Sequence, residues 1–137
     1  MRVVYVDSSA LVRLVRAEPE TEALTAYLAD TELVSCELAV TEVPRAIRRA
    51  AAADPGLPLD RLLRSAAEAL DALALVPVDR PLFATAGSIT EPLLRTLDAI
   101  HVTAAASISP LDAFVTYDER QGAVARIAGL RTYAPGT

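Results

Sequence analysis

Val3-Val4-Tyr5-Val6-Asp7-Ser8-Ser9-Ala10-Leu11 decides how the chain is read. Four β-branched or aromatic residues in a row, without polar alternation, describe a strand buried on both faces. Ser8-Ser9 then offers an N-cap for a helix from Ala10 to Val15. An acid, Asp7, stands at the strand's end.

Outward from this stretch the alternation continues. Pro19 to Asp30 opens with Pro and acids, as helices do. Glu32 to Ser35 reads as a second strand. Glu37 to Ala53 reads as a long helix with Leu38, Val43, Ala46, Ile47 and Ala50 inward, and Pro44 is expected to kink it or mark an irregular start. Asp54-Pro55-Gly56 is a loop. Pro58 to Leu73 is an amphipathic helix, Leu75 to Val78 a strand and Arg80 to Ser88 a short helix. Thr96 is expected to cap a helix from Leu97 to about Ser107. Ala113 to Thr116 is a fourth strand. Glu119 to Ala128 is a helix stopped by Gly129, and Arg131 to Tyr133 a last edge strand. Strands alternating with helices imply a parallel sheet covered on both faces, an α/β sandwich. No repeat or linker divides residues 1–137, so one domain is expected.

Composition narrows the function classes. The chain has 137 residues, 53% of them hydrophobic, enough for one core and too apolar for disorder. Cys36 is the only cysteine, which excludes an intrachain disulfide. It reads as a small buried apolar residue, because His101, the only histidine, is far away in sequence. All 13 bases are Arg, so a P-loop, a Schiff base and a receiver-type lysine are excluded. The net charge of −5 argues at first against a nucleic-acid partner. No signal peptide and no apolar run of about 18 residues is visible, so a cytoplasmic protein without membrane contact is expected.

Four acids stand out. Asp7 ends the first strand and Asp118 follows the fourth. Glu42 and Asp98 sit among apolar residues, in Leu38-Ala39-Val40-Thr41-Glu42-Val43 and Leu97-Asp98-Ala99-Ile100. An acid on an apolar surface is costly unless paired or bound to metal. In open α/β sheets ligands bind beyond the carboxyl ends of the strands. Four carboxylates converging there would not all ionise without cations. An all-oxygen set suits Mg²⁺ or Mn²⁺ rather than Zn²⁺. That is apparatus for phosphodiester hydrolysis, and it needs no nucleophilic side chain. Setting those four aside leaves 14 acids against 13 Arg, and the charge objection to RNA disappears.

Asp7-Ser8-Ser9-Ala10-Leu11, Thr41-Glu42-Val43-Pro44-Arg45-Ala46, Leu97-Asp98-Ala99-Ile100-His101 and Thr116-Tyr117-Asp118-Glu119-Arg120 occur in the order seen in PIN-domain ribonucleases. More narrowly, the chain resembles the VapC toxins of bacterial type II toxin–antitoxin systems, from Val3 to about Tyr133. The resemblance implies a PIN-like three-layer α/β/α sandwich around a central, mostly parallel sheet of four to five strands. It implies an acidic quartet of Asp7, Glu42, Asp98 and Asp118, with Asp7 and Asp98 the surest metal ligands and Ser9 and Thr116 as polar neighbours. It further implies a Mg²⁺- or Mn²⁺-dependent endoribonuclease acting on structured RNA such as a tRNA or rRNA loop, a homodimer, and inhibition by a cognate antitoxin of VapB type.

Other residues receive plainer readings. His101, one turn after Asp98, is structural or supports the site. Arg45, one turn from Glu42, is the best candidate for RNA-phosphate contact; Arg61 and Arg64 face solvent. Asp112 is a turn residue. Phe83 and Phe114 belong to the core, and Tyr117 suits either the core or base stacking. A catalytically silent PIN-like module that binds RNA or protein is the alternative function. A haloacid-dehalogenase-type phosphatase is disfavoured, because Ser9 stands where its second Asp belongs and no Lys exists.

Overall fold

In the computed structural model, which describes residues 1–137, five strands form one sheet in the order β3-β2-β1-β4-β5. The elements follow in chain order as β1 (Arg2–Val6), α1 (Ser8–Val15), α2 (Thr21–Leu28), β2 (Thr31–Cys36), α3 (Ala39–Ala53) and α4 (Leu59–Asp71). They continue as β3 (Ala74–Val76), α5 (Arg80–Gly87), α6 (Thr96–Ala106), β4 (Ala113–Val115), α7 (Glu119–Ile127) and β5 (Thr132–Tyr133). Every neighbouring pair of strands is parallel. The fold is the α/β sandwich expected from the sequence, with all five strands parallel.

The unbroken apolar run of β1 has its reason in the layering. Val4 and Val6 point to one face and pack with α1 to α4 through Leu11, Leu24, Leu28, Val43 and Ala66. Tyr5 points to the other, where Ile100, Val102 and Val124 of α6 and α7 cover it. A strand covered on both sides has no position for a polar residue until its end. Tyr5 lies opposite Phe114 of β4, and their rings stack at 5.3 Å.

Several local expectations change. Asp7, not Ser8 or Ser9, caps α1, its side chain accepting from the Ala10 amide. Thr96 does not cap α6 but is its first residue, and the residue before it, Arg95, makes no side-chain cap bond. Pro44 lies inside α3, which continues through it to Ala53. Only the Val40 carbonyl loses its helical partner there. Gly129 adopts φ 88°, the left-handed turn that ends α7. Asp112 is the turn residue expected, and it also accepts from the Val3 amide at 2.7 Å, which ties the start of β4 to β1. Phe114 is fully buried, but Phe83 is 51% exposed on α5 and is not core. No helix is long and apolar enough to cross a membrane.

The contrast between the two phenylalanines is measurable. Phe114→Ala should cost about 3–5 kcal/mol, because a buried ring leaves a cavity. Phe83→Ala should stay within about 1 kcal/mol. Urea unfolding of the two variants checks this, and equal losses would contradict the packing.

Candidate active site

The chain steps from β1 out to β2 and β3, then returns to the other side of β1 as β4. The strand order therefore reverses between β1 and β4, and the crevice at their carboxyl ends is where such sheets bind ligands. Asp7 leaves β1 there, and Thr116, Tyr117 and Asp118 leave β4.

Asp7 is buried, and its charge is met on both oxygens. Oδ1 accepts from Ser9 Oγ at 2.7 Å and the Ala10 amide at 3.0 Å, and Oδ2 accepts from Thr116 Oγ1 at 2.6 Å. Burial pushes its carboxyl above the ordinary range, although these bonds pull the other way. Ser9 Oγ also accepts from the Tyr117 amide, and Thr116 Oγ1 from the Asp118 amide. Asp118 caps α7, taking the Arg120 and Gln121 amides on Oδ1. Both expected supporting residues, Ser9 and Thr116, are thus joined to Asp7.

Asp98 lies in the first turn of α6, where a negative charge suits the helix dipole. Burial and then the charge of Asp118 raise its carboxyl. Gln121 of α7 donates from Nε2 to Asp98 Oδ1 at 3.2 Å. Gln121 is 1% exposed, and its Oε1 is buried without a partner. Sequence reasoning missed it, since one Gln on a helix carries no periodic signal.

Glu42 faces the same crevice but is differently occupied. Its Oε1 accepts from Ser8 Oγ at 2.8 Å and meets His101 Nε2 at 2.6 Å. On its other ring nitrogen, His101 contacts Tyr5 Oη at 2.7 Å and Cys36 Sγ at 3.6 Å. Burial disfavours charge on the imidazole, but Cys36 and Glu42 outweigh it and push His101 up to about 10. Glu42 is held below its ordinary range: burial opposes its charge, and His101 outweighs that. Cys36 and His101, 65 positions apart in sequence, meet in the fold, so Cys36 is more than an apolar filler.

A cavity of about 230 Å³ has Asp7, Glu42, Asp98, Asp118, His101 and Gln121 in its wall. All four expected acids therefore reach one cleft. Arg45 does not line it; Arg49, one helical turn further along α3, does. Tyr117 is engaged structurally, under the Arg13 guanidinium at 4.2 Å and donating to the Pro135 carbonyl. A larger cavity of about 570 Å³, near Leu82, Ile89 and Val102, has Asp79 as its only acid.

The donor set fits a hard divalent cation. Asp7, Asp98 and Asp118 offer oxygen only, and their mutual repulsion is visible at Asp98. Gln121 Oε1 adds a buried acceptor with nothing to accept. The carboxylates do not close into a shell: no three His, Cys, Asp or Glu side chains are grouped tightly enough to ligate one ion. Each of the three aspartates accepts from a protein donor.

The PIN domain family matches residues 4–127. The chain is 39% identical to Ribonuclease VapC35 of Mycobacterium tuberculosis over 140 residues, covering 98% of each. In structure it is similar to Mycobacterium tuberculosis VapC20, described as a sarcin–ricin loop cleaving toxin, with TM-score 0.72, 15% identity and coverage of 96% and 99%. It is also similar to the Rickettsia felis VapBC2 structure bound to a DNA fragment from their promoter, with TM-score 0.70, 10% identity and coverage of 97% and 98%. The chain belongs to the PIN domain family.

The Glu42–His101 pair sets a pH dependence of stability. His101 is raised in the fold, so its contribution is full below about 6.5, its ordinary value, and lost as pH rises through about 10. Glu42 is lowered, so its share needs pH above about 4.5. The stability difference between wild type and His101→Asn, from urea midpoints, should shrink between pH 6.5 and 10. A constant or growing difference would contradict the pairing.

Proposed function

We propose that this protein is a Mg²⁺- or Mn²⁺-dependent endoribonuclease and the toxin component of a type II toxin–antitoxin system. The observation that carries the reading is the meeting of Asp7, Asp98 and Asp118 in one cleft at the point where the strand order reverses. Its likeness to Ribonuclease VapC35 supports the same conclusion.

Asp98 and Asp118 would hold the ion, with Asp7 completing the set and Gln121 orienting Asp98. When bound, such an ion supplies positive charge against phosphate oxygens and acidifies water. The chain's own residues do the positioning. Thr116 and Ser9 fix both oxygens of Asp7, so its carboxylate does not turn away as RNA enters. Glu42, drawn to His101 and Ser8, borders the cleft as a nearly neutralised pair rather than as a fourth equal ligand.

Cleavage of RNA with Mg²⁺ present, read on a sequencing gel, tests this reading. Asp7→Asn and Asp98→Asn should lower the rate by at least about a hundredfold, since each removes charge that the ion needs. Gln121→Leu should instead weaken apparent Mg²⁺ affinity about ten- to a hundredfold, the usual effect of losing a ligand's support. Wild-type cleavage by Asp98→Asn would refute the metal site, and RNA binding without any cleavage would leave the silent module.

A partner follows from the same acids. A protein inhibitor can place an Arg against Asp98 and Asp118 with bidentate contacts and exclude metal. We place a VapB-type antitoxin there, and a second copy of this chain beside exposed apolar residues such as Phe83 and Ile127. Co-expression with the neighbouring reading frame should yield an inactive complex holding two copies of this chain. A lone monomer that stays active would refute both assignments.

A further inference from the structure

The acid cleft does not end at its carboxylates. Its cavity shares Asp98 and Asp118 with a second, of about 330 Å³, walled by Arg95, Glu119 and Arg120. That one shares Asp118 and Glu119 with a third, of about 490 Å³, whose wall includes Arg126 and Tyr133. The three cavities run in series, from α3 across the ends of β1 and β4 to β5.

The arginines along this groove fall into two kinds. Arg126 is engaged by Thr132 Oγ1. Arg49, Arg95 and Arg120 make no ion pair, although acids line the same cavities. Arg95 acts on Asp98 through space only, lowering a carboxyl that burial and Asp118 raise. Free guanidinium groups on both sides of an acid cluster leave two places for phosphate, with the cleft between them. At the far end Tyr133 sits on the edge strand, 45% exposed, with the Tyr27 ring 5.4 Å away and tilted by 36°. An open ring of this kind stacks with an unpaired base and finds none inside a duplex.

We propose that this groove seats a single-stranded RNA segment, its backbone held by Arg49 on one side of the carboxylates and by Arg95 and Arg120 on the other, with one unpaired base stacked on Tyr133. The assignment rests on the ribonuclease reading of the cleft and adds the strand's path. The scissile phosphate then lies between the two arginine contacts, over Asp98 and Asp118. A loop or bulge fits this path, and a regular helix does not.

The test is equilibrium binding of a short fluorescein-labelled single-stranded oligoribonucleotide of mixed sequence, at fixed Mg²⁺ and varied NaCl. Asp7→Asn serves as parent, because Asn keeps the helix cap while cleavage is removed. In this background, replacing Arg49, Arg95 and Arg120 together by Ala should flatten the slope of log K against log salt by about 2, three phosphates at about 0.7 each. Tyr133→Ala should weaken binding about tenfold while Tyr133→Phe retains it. Arg64→Ala, on α4 outside the groove, should match the parent, and the same sequence as a duplex should bind far more weakly. An unchanged slope in the triple variant, parental affinity in Tyr133→Ala, or equal binding of duplex would each overturn the path. The otherwise wild-type protein separates the two readings: cleavage intact with an unchanged slope refutes the groove alone, and binding as expected without cleavage refutes the ribonuclease alone.

Discussion

Asp7 is a carboxylate buried where a two-face-covered strand runs out, and its charge has to be satisfied locally. The solution organises the whole site. Thr116 reaches it from the end of β4 and Ser9 from the first turn of α1. The same two hydroxyls accept the Tyr117 and Asp118 amides, which sets the path of the chain leaving β4. Asp118 is thereby placed to cap α7, and the capped turn delivers Gln121 to Asp98 on α6. One buried charge is linked in this way to three helices and to the sheet's point of reversal. The bonds are short and made to a charged group, the kind that contributes most.

The cleft is polarised, and this changes the picture of four equivalent acids. On the α3 side Glu42 is met by His101, whose charged form the pair favours and which is itself anchored by Tyr5 and Cys36 inside the core. On the α6 and α7 side Asp98 and Asp118 repel each other with no cationic group bonded to either. A cation gains most where charge is least compensated, so the geometry favours the Asp98–Asp118 side. His101 also explains how Glu42 survives in a partly apolar setting: its partner comes from another helix, 59 residues away.

The fold was legible because its signals are local. A β-branched run without alternation, a Pro-and-acid helix start and a Gly stop each act within a few residues. Asp7 and Asp118 were legible for the same reason, as acids placed just past apolar strands. What the sequence hid was direction and distance. Arg45 and Arg49 are one turn apart on α3, and no pattern in the sequence says which lines the cleft. Phe83 looked like core by residue type, but α5 turns it outward while Leu82 and Ala86 are buried. Thr96 looked like a cap because Thr is a good one, yet α6 starts at Thr96 itself and the residue before it makes no side-chain cap bond. Gln121 and the Cys36–His101 contact depend on pairings across the fold that no spacing encodes.

Net charge is the poorest guide of all here. A chain at −5 should repel a polyanion if its charges were smeared over the surface. They are not smeared. The acids that matter are gathered in one crevice, where a divalent ion can cancel them, and several arginines nearby are left without partners. Salt screens charges beyond about 8–10 Å, so a phosphate placed in the groove would respond to these neighbours and hardly to the acids on α2 or α4. The local balance therefore depends on whether metal is present. On the proposed function, the crevice without an ion would repel RNA and attract a cationic peptide, and with an ion the preference would reverse. On the proposed function the ion and an inhibitor's cation would compete for one electrostatic feature, so a partner that excludes the ion would also exclude the RNA.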